Sequence, residues 1–181
     1  MAIPAKFEIP VVGFAAYSGT GKTTLLVRLL RLFTEQGMRV GIVKHAHHTF
    51  EIDHPGKDSF ELRQAGASQV LVGSHRRWAL MTEMHEPPDD ALAFYLDHLD
   101  RSVLDLVLVE GFKPESIPKI ELHRRSLGKP LLYPDDSDII AIATDSPLAE
   151  TPPIPMLDLN APTAVAEFII DRFRPTRQTD R

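Results

Sequence analysis

The chain has 181 residues, 43% hydrophobic and 25% charged, and its 20 basic and 25 acidic side chains give a formal charge of −5. That length supports one domain with a substantial core, and the acidic balance argues against an electrostatic grip on nucleic acid or an anionic membrane. Cysteine is absent, which excludes disulfides, thiolate zinc sites and cysteine nucleophiles, and no apolar run reaches the length of a membrane span.

The opening "MAIPAKFEIP" lacks the apolar core of a signal peptide, so a cytoplasmic location is the default expectation. Val11 to Ala16 reads as a buried strand. Gly21 to Gln36 reads as a helix, because Leu25, Leu26, Leu29, Leu30 and Phe33 form an apolar stripe at helical spacing and Gly37 supplies a stop. "RVGIVKHA" (39–46) is a second strand, and 47–59 is polar and irregular. "FELRQAGA" predicts a short helix ending at Gly66. "QVLVGS" (69–74) and "RWALMTE" (77–83) predict a hairpin. "PPDDALAFYLDHLDR" (87–101) has prolines and acids placed to start a helix. "LDLVLVEGF", "KIELH" and "IIAIATD" predict further strands, and "PMLDL" a last one. Asn160 is placed to cap a helix through "APTAVAEFIIDRF". The expected architecture is a three-layer α/β fold: a mainly parallel sheet covered by helices on both faces, with some antiparallel edge strands. One domain is expected over 1–174, with a flexible tail over 175–181.

Residues 16 to 23, "AYSGTGKT", match the spacing of a P-loop except that Ala16 replaces the first glycine. Gly19 and Gly21 let the backbone turn so that successive N–H groups form an anion nest at a helix start, where the helix dipole adds about half a positive charge. Lys22 is placed to reach β- and γ-phosphates, the Thr23 hydroxyl to meet Mg²⁺, and Thr24 to contact the α-phosphate. Deviant P-loops carry an extra lysine early in the loop; Tyr17 stands in this one instead. Such a loop needs a carboxylate at the end of a neighbouring strand, and Glu110 ends "LDLVLVE". Asp105 sits at that strand's other end. Gly111 allows a backbone N–H to approach a γ-phosphate.

The segment "KHAHHTFEIDHPGKDS" follows a strand end, where α/β folds place ligand sites. Three readings compete there. His45 and His47, with His48 or His54, offer metal ligands. Asp53 or Asp58 offers to orient an attacking water or waters on Mg²⁺. The third reading is a solvated loop. No Asn-Lys-x-Asp base-reading motif occurs, since Asn160 is the one asparagine. A carboxylate can still accept from guanine N1 and N2, and Asp145 is the best-placed candidate; capping of the Ser146-Pro147 turn explains it equally. "HRRSLGK" (123–129) reads as an exposed basic loop or, in a kinase, a lid.

Taken together, "AAYSGTGKTTLL", "IVKHAHH", "PGKDSFELRQAGA", "RWALMTE", "LVEGFK" and "AIATD" resemble the MobB family from about residue 10 to 173. The resemblance implies a P-loop GTP-binding accessory protein with weak Mg²⁺-dependent GTPase activity. It also implies that the chain assists a MobA-type nucleotidyltransferase in joining GMP to molybdopterin, and that it forms a homodimer. Carried over by motif, Ala16, Tyr17, Ser18, Gly19, Thr20, Gly21, Lys22, Thr23 and Thr24 bind phosphate. Thr23 and Glu110 are placed for Mg²⁺, and Lys44, Asp58 and Lys113 are candidates lining the site. Two other classes remain open: a P-loop small-molecule kinase and a His-rich metallochaperone GTPase. Trp78, Leu80 and Met84 offer apolar interface surface, which core burial explains as well.

Overall fold

The computed structural model describes residues 9–46 and 50–175. Its elements run β1 (Val11–Ala16), α1 (Lys22–Glu35), β2 (Val40–Lys44), α2 (Asp58–Gln64), β3 (Gln69–Gly73), β4 (Trp78–Thr82), α3 (Ala91–Asp97), β5 (Leu106–Glu110), β6 (Lys119–His123), β7 (Ile139–Thr144), β8 (Met156–Asp158) and α4 (Pro162–Phe173). Short 3₁₀ turns stand at Arg101–Val103 and Arg125–Leu127. The chain forms two compact units, one of residues 1–45 with 92–181 and one of residues 46–91.

The first unit holds a six-stranded sheet in the order β2-β5-β1-β6-β7-β8, parallel at every pairing. A wholly parallel sheet brings all strand C-termini to one edge. Ala16, Lys44, Glu110, His123, Thr144 and Asp158 therefore share that edge. β1 is central, and its six residues are all buried. One sheet face, with Val12, Phe14, Leu106, Leu108, Ile120 and Leu122, packs under Leu25, Leu29 and Phe33 of α1 and Val165, Ala166 and Ile169 of α4. This is the burial the apolar stripe of α1 requires.

On β6 the alternation of side chains puts Lys119, Glu121 and His123 on one face and Ile120 and Leu122 on the other. Lys119 and Glu121 are nonetheless buried, and Lys119 lies over Gly13 of β1: a Cβ there would stand 2.7 Å from the lysine Cγ. Asp105 is a fixture of the opposite strand ends, where it accepts from the Arg39 backbone N–H at 2.8 Å and pairs with the Arg39 guanidinium at 3.2 Å.

The second unit contains α2 and the β3–β4 hairpin, whose strands pair antiparallel and make their own two-stranded sheet. Among the described residues antiparallel pairing is confined to this unit, and the large sheet has no antiparallel strand. Arg63 of α2 pairs with Glu51, with Asp53 at 2.8 Å and with Glu83 at 3.0 Å. Burial pushes the Asp53 carboxyl up, but Arg63 outweighs it and leaves the carboxyl below its usual range.

Two local expectations differ from the structure. The helix expected over 87–101 is confined to Ala91–Asp97, where Leu92 and Leu96 are the buried residues; the prolines and acids of 87–90 precede it, and Leu99 is half-buried beyond it. Asn160 does not cap α4. The cap position is Ala161 with Pro162 at the first turn, while the Asn160 N–H donates to Asp158 Oδ1 at 2.7 Å. The expected tail lies, from residue 176 on, outside the described residues.

Candidate functional site

The turn between β1 and α1 has the shape its glycines require. Gly19 and Gly21 both take positive φ, 81° and 99°, which a side chain would disfavour. Thr20 is buried, and its Oγ1 donates to the Tyr17 carbonyl at 2.8 Å, which ties the loop to itself. No side chain caps the N-terminus of α1. Its first-turn N–H groups have no acceptor within the helix, and with the dipole they form an anion-binding end. Lys22, at the first helical position, bends back so that Nζ donates to the Ala16 carbonyl at 3.3 Å. Ser18, Thr23 and Thr24 are exposed on the same turn.

The carboxylate expected at a strand end is at one. Glu110 ends β5 in register with Phe14 of β1 and Lys44 of β2. Its carboxylate lies 3.5 Å from the Lys44 ammonium. Gly111 follows with φ 96°, and a Cβ there would come within 3.0 Å of His45 Cβ and 3.2 Å of the His45 carbonyl, so glycine lets the chain turn beside β2. Lys113 comes next, with Nζ 4.7 Å above the Tyr17 ring. Burial, and then the nearby charge of Lys22, hold the Lys113 ammonium below its usual pKa. The two cations repel each other, the Glu121 carboxylate opposes that effect on Lys113 only in part, and an anion placed between them would lower the cost.

The other side of the P-loop carries Asp145. It follows β7, and with Thr144, Ser146, Pro147, Met156, Leu157, Asp158 and Asn160 it lines an open pocket of about 320 Å³. Oδ1 accepts from the Arg125 N–H at 3.2 Å and the Ser146 hydroxyl at 3.1 Å; Oδ2 accepts from Arg124 at 3.1 Å. The Arg125 backbone bond is the main cause that keeps this carboxyl below the ordinary range. A carboxylate has about four acceptor directions, so one on Oδ2 stays open, and the Ser146 hydroxyl frees a second by rotating.

Of the expected site residues, Ala16 to Thr24, Lys44, Glu110, Gly111, Lys113 and Asp145 all belong to the C-terminal edge of the large sheet. Asp58 opens α2, exposed, in the second unit. His45 lies against Phe112, ring centroids 5.2 Å apart, while His47 and His48 lie outside the described residues. Among the described residues no group of three His, Asp or Glu side chains could hold a metal ion, and no helix is long and apolar enough to cross a membrane.

Sequence reasoning did not foresee Glu121, Lys119 or the place of Arg124. The available signal was "KIELH": two charges alternating with apolar residues on a strand otherwise built for burial. Glu121 accepts the N–H groups of Leu132 and Tyr133, each at 2.8 Å, and so anchors the loop after β6. Burial raises its carboxyl above the usual range. Folded protein therefore takes up this proton at a higher pH than unfolded chain, whose glutamate titrates near about 4.3, and the link favours folding as pH falls from neutral toward that value. Denaturant midpoints over that range should show wild type gaining stability relative to Glu121→Gln as pH falls. A flat or opposite difference would contradict burial as the dominant influence on this group.

Residues 11–145 match the family model for molybdopterin guanine dinucleotide synthesis protein B, MobB. The chain belongs to the MobB family. It is 47% identical over 167 residues to the molybdopterin-guanine dinucleotide biosynthesis adapter protein of Escherichia coli K12, covering 92% of this chain and 94% of that one. The protein of the same name from Haemophilus influenzae is 44% identical over 162 residues, covering 90% and 88%. Among solved structures, the MobB homolog from Bacillus stearothermophilus superposes with a TM-score of 0.65 at 26% identity, covering 92% of this chain and 99% of that one. The P-loop NTPase-like α/β fold is thus common to MobB proteins, and the matched span begins at β1 and ends at Asp145.

Proposed function

We propose that this MobB-family chain binds GTP with Mg²⁺ and serves as an adapter in molybdopterin guanine dinucleotide synthesis, beside a MobA-type nucleotidyltransferase in the cytoplasm. The observation that carries the nucleotide reading is the alignment, along one sheet edge, of an uncapped helix start with Lys22, a carboxylate at Glu110 and an open pocket lined by Asp145. Ala16 to Thr24 bind the phosphates. Gly111 and Lys44 lie beside the γ-phosphate end, and Asp145 accepts from guanine N1 and N2.

Mg²⁺ fits the donors present: hydroxyl and carboxylate oxygens at Thr23 and Glu110, which suit a hard cation that keeps much of its water. The Lys44 ammonium against Glu110 is itself a cation held by that carboxylate. When bound, Mg²⁺ supplies charge neutralisation on the phosphates. Hydrolysis is slow in this reading. The chain's part is positioning by Lys22 and the loop N–H groups. The adapter role follows the printed names of the relatives. A homodimer is supported by the hairpin of the second unit, which exposes Leu71, Val72, Trp78 and Leu80.

Equilibrium binding of GTP, GDP and ATP with Mg²⁺ tests the reading, alongside binding to a purified molybdopterin nucleotidyltransferase. Asp145→Ala should reduce the preference for GTP over ATP by about tenfold or more, the worth of at least one hydrogen bond to a charged group. A ratio that stays constant would remove Asp145 as the base reader.

A further inference from the structure

The basic loop after β6 has a role that neither its charge nor its exposure explains. Arg124 Nε donates to the Thr20 carbonyl in the P-loop at 2.9 Å, and its Nη1 donates to Asp145 Oδ2 at 3.1 Å. A Cβ built on Gly21 would lie 3.7 Å from Nη2, so the guanidinium runs along the rim of the phosphate cradle. Both ends of this bridge are fixed. Thr20 is buried and bonded to Tyr17; Asp145 also accepts the Arg125 N–H and the Ser146 hydroxyl. A planar guanidinium holding one acceptor at Nε and another at Nη1 fixes their relative orientation in a way a rotatable ammonium does not.

The Arg124 and Asp145 side chains are 34% and 18% exposed, so the pair contributes little to stability. What it does contribute is alignment. We propose that Arg124 is a specificity-determining positioning residue: it aims the Asp145 carboxylate from the P-loop itself, so that base preference is set in register with the phosphates. This rests on the guanine-nucleotide reading above. Arg124 touches no base in this arrangement; it acts through Asp145.

The test compares Arg124→Ala and Arg124→Lys with wild type, using dissociation constants for GTP, ATP and inorganic tripolyphosphate in Mg²⁺. In Arg124→Ala the GTP-over-ATP preference should fall about tenfold, the equivalent of one charged hydrogen bond. Tripolyphosphate affinity should fall by less than GTP affinity. Arg124→Lys keeps the charge but loses the fork, and should show the same fall in preference. Adding Asp145→Ala to Arg124→Ala should lower the preference no further, since both act on one contact. Equal losses for GTP, ATP and tripolyphosphate would make Arg124 a phosphate ligand and overturn the inference, as would an unmoved ratio in a wild type that prefers GTP. A wild type that binds GTP and ATP alike would instead bring down the guanine reading, and this inference with it.

Discussion

Replacing Lys22 with alanine is expected to weaken GTP binding by about a hundredfold or more while the protein stays folded. The estimate comes from two charge-assisted hydrogen bonds to phosphate oxygens, each worth about 1.5–3 kcal/mol, at about 1.4 kcal/mol per factor of ten. The fold should survive because Lys22 contributes little to the empty protein. Its ammonium donates to the Ala16 carbonyl at a long 3.3 Å, at the surface of the turn. Its charge also opposes that of Lys113, whose ammonium is already disfavoured by burial and by Lys22. Removing Lys22 relieves that repulsion, so the unfolding midpoint should stay level or rise slightly. Circular dichroism with isothermal titration checks both halves. Native-like spectra with undiminished GTP affinity would mean that the nucleotide lies elsewhere.

The second large effect is on stability. Lys119→Met is expected to cost about 3 kcal/mol or more, because a buried ammonium leaves and its partners do not. Lys119 Nζ donates to the Lys113 carbonyl at 2.9 Å and the Glu115 carbonyl at 2.8 Å, and pairs with Asp136 at 2.8 Å. Asp138 stands further off, at 3.9 Å. Methionine fills the space of the stem over Gly13 but satisfies none of these acceptors. For a chain of this size the midpoint should drop by about 10 °C. A scanning calorimetry shift within about 2 °C would show that water reaches these groups freely. The same bonds fix residues 113–115, which carry Lys113 to Tyr17, so triphosphate affinity should weaken in parallel.

These two lysines show how differently residues of one type are legible. Lys22 is readable because its neighbours specify its backbone: Gly19, Gly21 and the apolar stripe of α1 fix a strand, a turn and a helix start within some twenty residues. Glu110 and Gly111 are readable for the same reason, at the end of one apolar strand. Lys119 is not. Its sequence neighbours describe a strand, and its value lies in carbonyls of the preceding loop and a carboxylate of a later one. Helix boundaries failed where nothing local marked them, as in α3, whose proline and acid start signals at 87–90 lie ahead of its first residue, Ala91. The Asn160 cap failed because the cap position falls one residue later, at Ala161, with Pro162 pre-setting the first turn of α4.

By itself the sequence determined the glycine-rich strand–turn–helix and the order of strands and helices, because each rests on spacing along a short stretch of chain, while the MobB resemblance rested on motifs spread from about residue 10 to 173. Only the tertiary structure decided that β6 lies between β1 and β7. That placement brings Arg124 between Thr20 and Asp145, and puts Lys119 over Gly13. Parallel strands are joined by crossovers, so their side-by-side order is set by the packing of whole layers and not by any local pattern.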